Sequence, residues 1–161
     1  MNQQTNELIG AIVLEAQSAE KWLKAILPFS ESQCSSLGDA LSQHTKNKKR
    51  TLGSLVRGFA ESATSEEDDF EQHLAHLVEC RNQIVHHFGE TYGEQLRSGQ
   101  SKEVVDSLRT LLANIKVFRI ALQQIALLLF EAMRDTTFID TPEYKNMDKL
   151  CSELRRLTPS N

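Results

Sequence analysis

Apolar residues recur at helical spacing along most of the chain. Leu8, Ile12, Ala16, Ala19, Leu23 and Ile26 line one face of a helix over residues 6–27, which Pro28 should end. On that helix Glu20 and Lys24 read as an i,i+4 pair on a solvated face. A short helix is expected around 34–41. A further one over 51–62 carries Leu52, Leu55, Val56 and Phe59 on one side, and Gly53 and Gly58 each weaken it by about 1 kcal/mol relative to alanine. The pattern then predicts a central helix over 65–88. Thr64 and Glu67 match a capping box there, Glu66, Asp68 and Asp69 suit its positive end, and Gly89 is a natural stop. Residues 90–100 read as a polar loop after that stop. The longest helix covers 101–134, with Val104, Val105, Leu108, Leu111, Leu112, Ile115, Leu122, Ile125 and Leu129 as its main stripe. The pattern breaks over 135–142. A last short helix over 143–157 sets Tyr144, Met147, Leu150 and Leu154 on one side.

These elements imply an all-α protein, an up-and-down helical bundle of four to five helices with a short C-terminal helix. Residues 1–134 form the bundle, and 135–161 form a linker and a helix packed on the same domain. With 161 residues the chain can bury a real core, and 40% hydrophobic and 25% charged residues are ordinary for a globular protein. From Val117 the long helix turns apolar almost all round, through Phe118, Ile120, Ala121, Leu127, Leu128 and Phe130. Such a helix needs cover on several sides, and a second subunit would supply it. Its most lipid-like run, 120–130, is too short to span a bilayer and contains Gln123 and Gln124.

A net charge of −4 excludes a protein that coats nucleic acid through global charge, so any RNA contact needs a local basic patch. The one strong cluster is Lys46, Lys48, Lys49 and Arg50, four cations in five residues, with His44 ahead of it and Arg57 within reach. It reads either as a solvated loop or as a contact to backbone phosphates. Three cysteines, Cys34, Cys80 and Cys151, show no paired spacing, and the start MNQQTNELIG has no signal-peptide pattern. A cytoplasmic protein is expected.

The most informative stretch is 74–88, LAHLVECRNQIVHHF. Leu74, Leu77, Val78, Ile84, Val85 and Phe88 form a core-facing stripe, and Arg81 falls on it. A guanidinium keeps its charge, so the fold must give Arg81 a partner, an opening or a ligand. His86 and His87 follow within the same helix, side chains that change protonation near neutral pH.

The run Arg81-Asn82-Gln83-Ile84-Val85-His86 resembles the signature of the HEPN superfamily, small all-helical domains found in many prokaryotic ribonuclease toxins and phage-defence proteins. Ala19-Glu20-Lys21-Trp22-Leu23-Lys24 in the first helix is similar to a run such domains often carry. The likeness covers roughly residues 6–134 in helix order as well as motif. It implies an RNA substrate, a homodimer with a composite site, and cleavage to a 2′,3′-cyclic phosphate and a 5′-hydroxyl without metal or other cofactor. Arg81, Asn82 and His86 are then the catalytic candidates, with His87 and the Lys46–Arg50 cluster on the substrate. A dimer also answers a geometric difficulty: five positions on a regular helix diverge by roughly 140°.

The chemistry suits these residue types. RNA supplies its own nucleophile, the 2′-hydroxyl. His86 can act as general base or acid, Arg81 can stabilise charge growing on the phosphate, and Asn82 can orient either the histidine or the substrate. DNA lacks the nucleophile and should resist. Other readings stay open. Arg81 can be a structural arginine on a buried carboxylate or carbonyls, and His86 a core or interface histidine, which would leave a catalytically inactive protein- or RNA-binding module. His73, His76 and Cys80 share a helix face and are acceptable zinc ligands, though no second ligand pair accompanies them. One departure from the family pattern stands out. Phe88 occupies the position where some of these toxins carry a tyrosine that a cognate antitoxin modifies, and Tyr92 is out of register. Any antitoxin or regulatory protein would then act by another route.

Overall fold

In a computed structural model of the chain, residues 3–30 and 68–158 are described, apart from the side chains of 29–30, 68–74 and 77. The expected helices at 34–41 and 51–62, the capping box of Thr64 and Glu67, and the Lys46–Arg50 cluster lie outside the described residues. What is described is an all-α helical bundle of five helices: α1 (Gln3–Ser30), α2 (Asp68–Val85), α3 (Phe88–Arg97), α4 (Ser101–Thr136) and α5 (Tyr144–Leu157). No strand occurs among the described residues.

The scaffold is the α1–α4 pair. On α1 the apolar periodicity buries Ile12, Ala16, Ala19, Leu23, Ile26 and Leu27, and on α4 it buries Val104, Val105, Leu108, Leu111, Ile115, Phe118, Leu122 and Ala126. At 36 residues α4 is about 54 Å long, and its buried stripe meets α1, on which α2 also packs, with Cys80 and Ile84 of α2 in the same core. A polar tie crosses the interface. Arg119 Nε donates to Glu15 at 2.6 Å, and its Nη1 donates to Gln123 at 2.5 Å. Gln123 is therefore a buried amide with a partner, as a polar group in such a place requires.

Five features depart from the sequence expectation. Pro28 does not end α1, which runs on to Ser30. The ring lacks a donor for the carbonyl four residues back, but it sits in the last turn, and its burial beside Leu27 holds the turn in place. Glu20 and Lys24 pair at 2.6 Å, yet both side chains are largely covered rather than solvated. On α5 the innermost residues are Cys151 and Leu154, while Leu150 is exposed. On α4, Ile125 of the expected main stripe is exposed, together with Val117 and Leu128.

The fifth departure shapes the site. The central helix stops at Val85, three residues before the expected end, and the polar stretch after it is not a loop but α3. Phe88, Tyr92 and Leu96 recur every fourth residue and pack against the core. Gly89, read as a stop, lies in the first turn of α3, where an added Cβ would meet nothing within 4 Å. The glycine that does turn the chain is Gly99, at φ +85° between α3 and α4. There Gln100 N–H reaches back to Gln95 C=O at 2.9 Å.

By length and composition alone α4 could cross a membrane, but the core helix of a globular protein passes the same test. Its C-terminal part carries α5, through Arg134 to Asp148 at 2.9 Å and Arg155 to Glu131.

Candidate active site at the junction of α2 and α3

The end of α2 brings the motif residues together within one chain. His86 N–H still bonds Asn82 C=O at 2.8 Å and His87 N–H bonds Gln83 C=O at 3.2 Å, so α2 delivers its last helical bonds into the junction. At His87 (φ −124°, ψ 18°) the backbone leaves the helix, and His87 becomes the N-cap of α3. Position 86 keeps its helical place, and it is the long Arg81 side chain that spans the divergence between the two positions. Arg81 Nη1 lies 3.4 Å from His86 Nε2 and donates to Asn82 Oδ1 at 3.1 Å. A second copy of the chain is therefore unnecessary to bring Arg81 to His86.

Hydrogen-bond roles follow from chemistry. A guanidinium only donates, so the His86 Nε2 facing it is an acceptor and the ring proton sits on Nδ1. At 3.4 Å the contact is long and weak. Arg81 is half-buried and has no carboxylate partner among the described residues. Its remaining donors face no anion there.

His87 is oriented differently. Its Nδ1 stands 3.0 Å from Glu90 Oε2, so Nδ1 is the donor and Nε2 is left outward. Glu90 is the third residue of α3, where a carboxylate also answers the positive end of the helix. The side chains are 56% and 82% exposed, which makes this an open pair in water. The rings of His86 and His87 stand 6.4 Å apart at 70°. Sequence reasoning placed His87 on another face of a continuous helix and did not see Glu90 at all. The signal lies in the spacing: Glu90 is three residues after His87, as the third residue of a helix follows its N-cap, within a stretch polar enough to resemble a loop.

The floor of the junction is apolar. Phe88 packs on Tyr92 with ring centroids 5.2 Å apart. Burial pushes the Tyr92 phenol above its ordinary range, and nearby Cys80 adds to this. Burial likewise pushes the Cys80 thiol up, with Glu79 acting in the same direction. Cys80 Sγ lies 3.4 Å from His76 Nε2. Of the zinc triad considered from sequence, that pair is what remains in view, since the His73 side chain lies outside the described residues. No group of three or more metal-ligating side chains occurs among the described residues. Lys46, Lys48, Lys49 and Arg50 cannot be set relative to this junction, because they fall outside the described residues too.

Comparison with protein-family models, with curated proteins and with solved structures finds no match to this chain.

Proposed function

We propose that the chain is a metal-independent endoribonuclease that cleaves RNA through attack of the 2′-hydroxyl, leaving a 2′,3′-cyclic phosphate. The observation that carries this reading is the convergence of Arg81, Asn82 and His86 at one exposed junction. Arg81 would hold the phosphate and stabilise its developing charge. The phosphodiester is an anion and a better acceptor for a guanidinium than a neutral imidazole, so its arrival would draw Arg81 off His86 and free the Nε2 lone pair. Metal independence follows from the chemistry, since the nucleophile belongs to the substrate. A toxin or phage-defence role rests on the family likeness alone. Neutralisation by modification of a tyrosine at position 88 has no target, because Phe88 has no hydroxyl.

A homodimer and a cytoplasmic setting belong to the same proposal. The outer side of α4 offers the dimer a surface, with Val117 at 69% and Leu128 at 66% exposure. Those residues also support the second reading, a catalytically inactive helical module that binds a protein or RNA. The test is cleavage of a mixed RNA pool in excess EDTA by wild type and by His86→Ala, both confirmed folded by circular dichroism. The ribonuclease reading expects cleavage with cyclic-phosphate ends, reduced at least 100-fold in the variant. Folded wild type that cuts none of several RNAs would leave the binding module as the better account.

A further inference from the structure

His86 and His87 are neighbours in sequence but are held by groups of opposite charge, and this divides their chemistry. We propose that in RNA cleavage His86 is the general base and His87 the general acid, with Glu90 as the residue that positions His87. The inference rests on the ribonuclease reading of the site.

The hydrogen-bond directions carry it. His86 presents an Nε2 lone pair toward Arg81. That atom can take a proton from the 2′-hydroxyl once the guanidinium has moved to the phosphate. If His86 instead began protonated at Nε2, two N–H groups would face each other, donor against donor. His87 is the converse case. Its Nδ1–H is occupied by Glu90, so the protonated ring carries its second proton on the outward Nε2, free to donate. Glu90 accepts in either state and fixes the ring.

The spacing suits an in-line displacement. The attacking and leaving oxygens stand on opposite sides of the phosphorus, so base and acid must flank the phosphate. The ring centroids stand 6.4 Å apart at 70°, close enough for both side chains to reach one phosphate. The step balances. The 2′-oxygen gives its proton to His86 Nε2 and forms the new bond to phosphorus. The bond from phosphorus to the 5′-oxygen breaks, and that oxygen takes the proton from His87 Nε2. His86 ends protonated and His87 neutral, and both exposed rings return to the starting state by exchanging protons with water.

Two substrates separate the roles. One is an oligonucleotide with a single ribose linkage, whose alkoxide leaving group needs a proton. The other is a ribonucleoside 3′-(4-nitrophenyl phosphate), whose leaving group departs as the anion. His87→Ala should lower cleavage of the oligonucleotide about 100-fold or more while leaving the aryl ester within a few-fold of wild type. His86→Ala should lower both. Glu90→Gln should repeat the His87→Ala pattern in milder form, whereas a merely structural loss would lower both substrates together. His87→Ala that affects both substrates equally, or neither, would overturn the assignment while the ribonuclease reading stood. Wild type inactive on both substrates would remove that reading and this inference with it.

Discussion

At the scale of single residues, burial keeps three ionisable groups protonated to higher pH than water would. Cys80 and Cys151 are raised above the ordinary thiol value of 9.0 and Tyr92 above the phenol value of 10.0, in each case first by burial. In the unfolded chain these groups ionise at their ordinary values. Above about pH 9 the unfolded state therefore holds fewer protons than the folded one, and stability falls as pH rises. The contribution is fully present below that pH and is lost as pH passes through the raised folded values. Urea midpoints taken from pH 7 to about 10.5 should decline above about pH 9, and Cys80→Ala should decline less steeply. A Cys80→Ala midpoint that falls just as steeply would mean the thiol is not among the groups responsible. Arg81 and Cys80 are adjacent in sequence and differ in kind: the thiol is covered, while the guanidinium is half-open and keeps donors for an anion. That Arg81, Asn82, His86 and His87 lie close together was legible in the sequence, and all four sit at the junction. Their relation was not, because a backbone divergence of about 140° does not show how far the flexible Arg81 side chain reaches toward His86.

At the scale of elements, the decisive feature is where helices stop. Glycine marks such ends ambiguously, and at Gly89 it misleads because a glycine inside the first turn of a helix looks the same in sequence as one past its end. The fourfold recurrence of Phe88, Tyr92 and Leu96 was the better sign, but it is sparse and lies in a polar stretch. Pro28 misled for the opposite reason, since packing kept its turn helical against local preference. Gly99 is where a glycine is needed: at φ +85° an alanine would crowd its own backbone. Gly99→Ala should destabilise the fold by about 1–2 kcal/mol, read as a lower urea midpoint with an unchanged slope. Gly89→Ala, with open space at its Cβ and helical backbone, should be neutral or slightly stabilising in the same measurement.

At the scale of the whole molecule, periodicity made the fold class legible: the helical spacing of α1 and α4 was strong enough to give both helices and most of their buried residues. It could not say which faces remain uncovered, because exposure depends on how helices assemble. Val117 and Leu128 lie 11 residues apart, on nearly the same side of α4, and both face outward. If a second copy covers that side, Val117→Asp should convert a dimer to a monomer in sedimentation at micromolar concentration, with the monomer's helical content intact. A wild type that sediments as a monomer throughout would leave the surface to another partner.

The compactness of the junction in sequence bears on how the protein comes into being. Every polar contact described there joins residues no more than five positions apart. The clasp between α1 and α4, from Glu15 to Arg119, spans 104 positions. Closing a short loop loses little chain entropy, and closing a long one loses more. During synthesis residues 81–90 emerge before α4 exists to complete the core. The arrangement of Arg81, His86, His87 and Glu90 can thus begin to form on the nascent chain, while the scaffold that makes it permanent must wait for the far end of the sequence.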